Sequence, residues 1–327
     1  MEVNLVLDRD GLPESYLCHV NTPVCDDGLC RSLILDVYWD VLGNFSHFEV
    51  PEFPPLTKWE HLEFTREDYL KLEEILKDKE SVLGSVKDVN ALFHPSTKKI
   101  SEKVDAVTGA TLETIRSAVV EGAVYSSYTL WQVVNGDIPP AIRKHTGAYM
   151  GPALIRKFLQ SGNYHYHYEA LGYLVSNGYQ GHFPELVRML ERSSPFVSRR
   201  AVLQFPEVWL EEEHFQSAIT GTLVHLDYLA QEVWLDRMMD VRVCGSSLDQ
   251  LTDDPGRFSQ QQLLQVLAIC ERNRSRLGND SLNRLGPLMQ HENSRIAESA
   301  YRIFEKLSPE NKHAKQILKH HEKRKDT

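Results

Sequence analysis

The densest set of residues able to do chemistry in this chain is Asp105, Thr108, Gly109, Ala110 and Thr111, within "VDAVTGATLETIRSAVV" (Val104–Val120). An acid, two hydroxyls and a Gly-Ala step stand directly ahead of a run with apolar residues at helical spacing. Two chemistries suit this order. In the first, the Thr108 or Thr111 hydroxyl accepts from the free amides of a helix start, and Gly109 permits an unusual backbone angle. In the second, those amides, which lack intrahelical partners and lie in positive potential, receive a phosphate carried at Thr111. Gly109 and Ala110 would then let the backbone approach the phosphate closely. Capping accounts for one threonine but not for the cluster as a whole.

Other candidate groups are sparser. Cys18, Cys25 and Cys30 fall within the first thirty residues, and "TPVCDDGLCRSLILDV" reads as two strands around an Asp-Asp-Gly turn flanked by Cys25 and Cys30. Three readings stay open there: reduced structural thiols, a Cys25–Cys30 hairpin disulfide, or a metal site joined by His19 at a spacing that is not a standard zinc pattern. His165 and His167 are two apart, the wrong spacing for one helix face. Cys244 and Cys270 sit in apolar helical context and read as buried. No G-x-S-x-G, P-loop or G-x-G-x-x-G occurs, so no hydrolase or nucleotide-binding motif announces itself.

The elements that must position the cluster follow from composition and periodicity. A chain of 327 residues, 42% apolar and 25% charged, is ordinary for globular protein and long enough for two domains. Its formal charge of −10 argues against a nucleic-acid binder, and the basic tail "KHHEKRKDT" reads as a solvated helix end. No apolar run reaches the length of about eighteen residues that a membrane-spanning helix needs. The start "MEVNLVLDRDG" shows no basic region followed by an apolar one. The expected compartment is therefore cytoplasmic, or extracytoplasmic (periplasmic) if a leader was removed.

Residues 1–137 mix strand and helix signals and predict an α+β domain. "SLILDVYWDVLGNFSHFEV" suits paired strands broken at Gly43-Asn44. "TREDYLKLEEILKDKESVLG" predicts a helix capped by Thr65 and Asp68, with a stripe of Tyr69, Leu72, Ile75 and Leu76, ended by Gly84. A further helix is expected from about Thr111 to Val134, before the "NGDIPPAIR" boundary. Residues 138–327 lose strand signals. Short amphipathic segments between Gly, Pro, Ser and Asn follow one another, each with a stripe too small to bury alone. The expectation is an all-α domain of HEAT-like or armadillo-like helical repeats, with an irregular bundle as the alternative.

Asp105-Ala106-Val107-Thr108-Gly109-Ala110-Thr111 resembles the flavinylation motif of the FMN-binding domain family, which includes flavoprotein subunits of sodium-pumping NADH:quinone reductase and of the Rnf electron-transport complexes. The family pattern is an aspartate, two variable positions, Ser or Thr, Gly, Ala, then Ser or Thr, and every fixed position is matched. The resemblance covers roughly Leu17 to Trp131. It implies FMN held covalently by a phosphoester on Thr111, installed by a magnesium-dependent flavin transferase. Asp105, Thr108, Gly109 and Ala110 carry over as recognition and turn residues.

On this reading the chain is an electron carrier or redox-complex component more than a stand-alone enzyme. The helical domain would dock a redox partner such as a cytochrome or a membrane redox complex. Trp39, Tyr125, Tyr128 and Trp131 become candidate contacts for the flavin ring, with core packing as the competing reading of aromatics at helical spacing. Lys98, Lys99 and Lys103 become candidate charges beside it, with a solvated loop as the competing reading. The alternative is a non-catalytic protein-interaction scaffold whose front domain no longer carries flavin.

Overall fold

The computed structural model describes residues 1–23, 32–86 and 117–325 and divides the chain into two compact units, Met1–Leu154 and Ile155–Thr327. The first unit holds a four-stranded antiparallel meander: β1 (Val3–Leu7), β2 (Pro13–Thr22), β3 (Leu33–Asp40) and β4 (Phe45–Glu49), in the order 1-2-3-4. Side chains on a strand alternate between faces, so one face of β2 and β3 is apolar by sequence. The cross-strand pairs Tyr16↔Trp39, Cys18↔Val37 and Val20↔Leu35 all lie on that face and are buried. Each large side chain so buried contributes about 1.5–3 kcal/mol. The opposite face carries His19↔Asp36, an exposed pair with Nδ1 to Oδ1 at 2.8 Å. The β3–β4 connection turns at Gly43 (φ 76°), in the Gly-Asn step where the sequence breaks its strand pattern.

Three helices of this unit matter for the site. α1 (Arg66–Lys77) starts with the expected capping box: the Thr65 hydroxyl accepts from the Asp68 amide while the Asp68 carboxylate accepts from the Thr65 amide. It stops at Lys77, ahead of the expected end at Gly84; residues 82–85 form a separate 3-10 turn. Gly84 serves a different purpose, since a Cβ there would stand 2.8 Å from Trp131 Cη2. α2 (Val124–Asn135) covers the second half of the helix expected from Thr111 to Val134. That helix is not continuous: the chain turns at 118–122, where Gly122 takes φ 76° and its carbonyl accepts from the Trp59 amide at 2.7 Å.

α3 (Ile138–Gly147) begins with Pro139 and Pro140 in its first turn, where proline's missing N–H costs nothing. The two prolines of the "NGDIPPAIR" stretch thus stand in the first turn of a helix. α3 packs on α2, and Tyr16 Oη lies 2.8 Å from His145 Nδ1 and 2.9 Å from Thr146 Oγ1. These contacts put α3 in the first unit. The division falls between Leu154 and Ile155, downstream of the 137/138 boundary read from the sequence.

Among its described residues, the regular elements of the second unit are all helices. α4 (Pro152–Gln160) contains the division between the units and is followed in the chain by two rows. One row is α5 (Tyr164–Asn177), α7 (Pro195–Gln204), α10 (Tyr228–Asp240), α12 (Gln260–Arg272) and α14 (Ser294–Leu307). The other is α6 (Phe183–Arg192), α9 (Glu213–Thr222), α11 (Gly245–Asp253), α13 (Asn279–Leu285) and α15 (Lys312–Lys325), with the short α8 (Glu207–Leu210) ahead of α9. Each helix packs on the preceding and following members of its own row.

The first row has a regular signature. Its N-caps are Asn163, Ser194, Asp227, Ser259 and Asn293, at intervals of 31 to 34 residues. The residue seven positions after each cap (Ala170, Ala201, Trp234, Val266, Ala300) is buried. Backbone groups between neighbouring helix pairs are satisfied by side chains reaching across. The Arg237 guanidinium donates to the Val202 carbonyl at 2.8 Å, and Arg276 donates to that of Val243 at 3.0 Å. The Gln216 side chain accepts from the Cys244 amide and Asn273 from the Val243 amide. Pairing of this kind is what lets carbonyls at a helix end and amides and carbonyls of the connections stay buried between stacked helices.

Candidate functional site

Asp105, Thr108, Gly109, Ala110 and Thr111 lie outside the described residues, as do Cys25, Cys30, Lys98, Lys99 and Lys103. The described residues supply the frame on either side. Val86 closes the stretch before the cluster, and its carbonyl accepts from Tyr128 Oη at 2.9 Å. After it, the Val120 amide donates to Ser127 Oγ at 3.0 Å, and the Val120 carbonyl accepts from the Ala123 amide at 3.0 Å. Ser127 and Tyr128 are consecutive on α2, so one helix holds both flanks. α2 is itself fixed by three further side-chain bonds. Trp131 Nε1 donates to the Asp78 carbonyl at 2.8 Å, Gln132 to that of Leu83 at 3.3 Å, and Asn135 to that of Leu76 at 3.0 Å.

The four aromatic residues singled out as ring contacts divide into two pairs. Trp39 is wholly buried and donates from Nε1 to the Val134 carbonyl at 3.0 Å. Trp131 is buried against Gly84. Both tryptophans are committed to the core by apolar area and by their N–H partner, which is the core-packing reading of these aromatics. Tyr125 and Tyr128 are half-buried on α2, close in sequence to the turn at 118–122.

The remaining sequence candidates resolve into structural roles. Cys18 points into the buried face of the sheet and His19 to the exposed face, so the two do not form one ligand set. Burial pushes the Cys18 thiol up, and Cys270, wholly buried, is pushed up to about 12. Thiols held protonated in this way are poor nucleophiles. Cys244 is buried as expected. His167 is buried with Nε2 2.6 Å from the Ser161 carbonyl and Nδ1 3.2 Å from Ser193 Oγ. A carbonyl can only accept, so Nε2 carries the proton and Nδ1 accepts from the serine hydroxyl. Burial lowers the affinity of His167 for a second proton, the Ser161 bond opposing in part. Among the described residues no group of three or more His, Cys, Asp or Glu could hold a metal ion, and no helix is long and apolar enough to cross a membrane.

A feature with little trace in the sequence is a concavity in the helical unit, of about 520 Å³, between the end of α4, α5, α6 and the start of α7. Its one visible signal is Arg188 and Arg192, four apart on α6 and so on one helix face. Comparisons with protein-family models, with curated proteins and with solved structures find no match to this chain.

Proposed function

We propose that this chain is an electron-transfer flavoprotein component carrying FMN through a phosphoester on Thr111. The observation that carries the reading is the run Asp105-Ala106-Val107-Thr108-Gly109-Ala110-Thr111, which resembles the family's attachment motif at every fixed position. When bound, FMN supplies the redox chemistry. The chain's own share is to present Thr111 to the flavin transferase, with Asp105, Thr108, Gly109 and Ala110 as recognition and turn residues. Tyr128 and Ser127 hold the two flanks of that stretch on α2, which supports a platform role for the first unit. On this reading the first unit is an FMN-binding-like α+β domain.

The helical unit is, in this proposal, a repeat domain that docks the redox partner. The cap interval of 31 to 34 residues and the two-row packing support stacked two-helix units. The interval is shorter than the ~40–47 residues of HEAT and armadillo units, so the kinship to those is architectural. The regularity of these rows also favours a second reading, a protein-interaction scaffold whose front unit carries no flavin. Co-production with a flavin transferase separates the two: covalent flavin on Thr111 supports the first, and an unmodified chain under those conditions supports the second.

A further inference from the structure

The concavity in the helical unit has a built chemical character. Its floor is apolar, formed by the buried Leu159, Met189 and Val197. One wall carries Arg188 and Arg192. Arg188 spends only its Nε, donating to the Pro184 carbonyl at 3.2 Å, while its terminal nitrogen stands 3.9 Å from Glu185 Oε1. Glu185 is already 3.3 Å from Arg156 Nε. Arg192 makes no hydrogen bond or ion pair with any described residue. Two guanidinium groups therefore face the space against one carboxylate that Arg156 already engages.

The opposite lips are held by His167, which bridges the Ser161 carbonyl and Ser193 Oγ. Between them Gly162 opens onto free space, with nothing within 4 Å of where a Cβ would stand. Exposed aromatic surface flanks the rim. Tyr164 lines it and is 51% exposed; Phe196, 73% exposed, lies between the lining residues Ser194 and Val197. Tyr164 meets Tyr168 edge-on at 5.8 Å, and the Arg200 guanidinium sits 4.2 Å over the Tyr168 ring.

We propose that this concavity binds a carboxylate-bearing peptide segment of a partner protein, an apolar side chain on the floor and an acidic one on Arg188 and Arg192. Arginine forks suit planar carboxylates and give charge-assisted bonds. A volume of about 520 Å³ would leave most of the space empty around a bare phosphate ion. The Glu185 carboxylate in the wall also disfavours a dianion more than a monoanion. Arg188 and Arg192 give an acidic segment a locally favourable wall in a chain whose net charge is −10. This assignment stands whether or not Thr111 carries flavin.

The test uses the full-length chain and a fluorescein-labelled peptide of alternating leucine and glutamate, followed by fluorescence anisotropy at low ionic strength. A matched leucine–glutamine peptide and inorganic phosphate serve as comparisons. The glutamate peptide should bind, with the glutamine peptide at least about tenfold weaker, as the loss of one charge-assisted hydrogen bond implies. Arg192→Gln, an exposed position, should weaken binding by about tenfold and leave the circular dichroism unchanged; Arg295→Gln, exposed on α14, should leave affinity unchanged. Absence of binding, equal affinity for the two peptides, no effect of Arg192→Gln, or displacement by phosphate at matched concentration would each overturn the assignment.

Discussion

Tyr128 donates a 2.9 Å hydrogen bond from Oη to the carbonyl of Val86, forty-two residues earlier in the chain. Its neighbour Ser127 receives the amide of Val120. Two consecutive side chains on α2 thus hold the approaches, on both sides, to the stretch that contains Asp105–Thr111. Tyr128→Phe keeps the ring and removes only the bond. Its urea midpoint should fall by the equivalent of about 1 kcal/mol, and flavin transferase should modify the variant more slowly than the parent. A variant with unchanged stability and unchanged modification rate would show that the bond plays no part in holding that flank.

Gly43 and Gly11 share a φ of 76°, yet differ in what surrounds them. A Cβ at Gly43 would come within 2.6 Å of the Pro139 carbonyl oxygen, whereas a Cβ at Gly11 meets nothing within 4 Å. Gly11→Ala should therefore cost only the backbone term of about 1–2 kcal/mol. Gly43→Ala should cost that plus about 1–3 kcal/mol for displacing α3. Equal losses by denaturant titration would mean that α3 does not rest on the β3–β4 turn.

The cap series of the helical unit makes a graded prediction. The Asp227 carboxylate accepts from the Leu229 and Ala230 amides, while Ser194 in the equivalent place makes no side-chain cap bond. Asp227→Ala should destabilise by about 1 kcal/mol and Ser194→Ala by only a few tenths. Thermal melts of the two single variants decide the order.

Two buried histidines set a pH dependence. His167 and His182 both bind a proton less readily when folded than the ordinary 6.5, burial being the main cause in each; for His182, Glu185 opposes and Arg156 reinforces it. Their folded values lie below the unfolded one, so the unfolded chain takes up protons first as pH falls. The stability tied to the neutral rings is complete above about pH 6.5 and declines as pH drops toward the folded values. Urea midpoints should fall between pH 7.5 and pH 5, and His167→Gln, which retains a donor and an acceptor, should flatten that decline. A steeper decline in the variant would reverse the assignment.

Much of this architecture is legible in local chemistry. The Thr65–Asp68 capping box and the strand break at Gly43-Asn44 are short-range patterns, and the structure carries them as read. The buried alternation of Leu33, Leu35, Val37 and Trp39 becomes visible in the structure. What the sequence reading missed depends on tertiary contact. The role of Gly84 lies in a tryptophan ring forty-seven positions on, and Pro139-Pro140, which the sequence suggests as a boundary, stands in the first turn of a helix whose far end meets Tyr16 at His145. The repeat interval was present all along in Asn163, Ser194, Asp227, Ser259 and Asn293. It was hidden because the caps use three residue types and the buried position seven residues on holds alanine, tryptophan or valine. The Asp105–Thr111 cluster is legible only in its own seven residues, which lie outside the described residues.

The most direct test of the central claim is the intact mass of the full-length chain co-produced with a flavin transferase and supplied with FAD. The account predicts a mass gain of one FMN less one water, yellow colour that survives denaturation, and loss of both in Thr111→Ala. The variant should keep its melting temperature to within the effect of about 1 kcal/mol that loss of a cap brings. An unmodified mass, in a preparation where the same transferase fully modifies an established substrate, would contradict it.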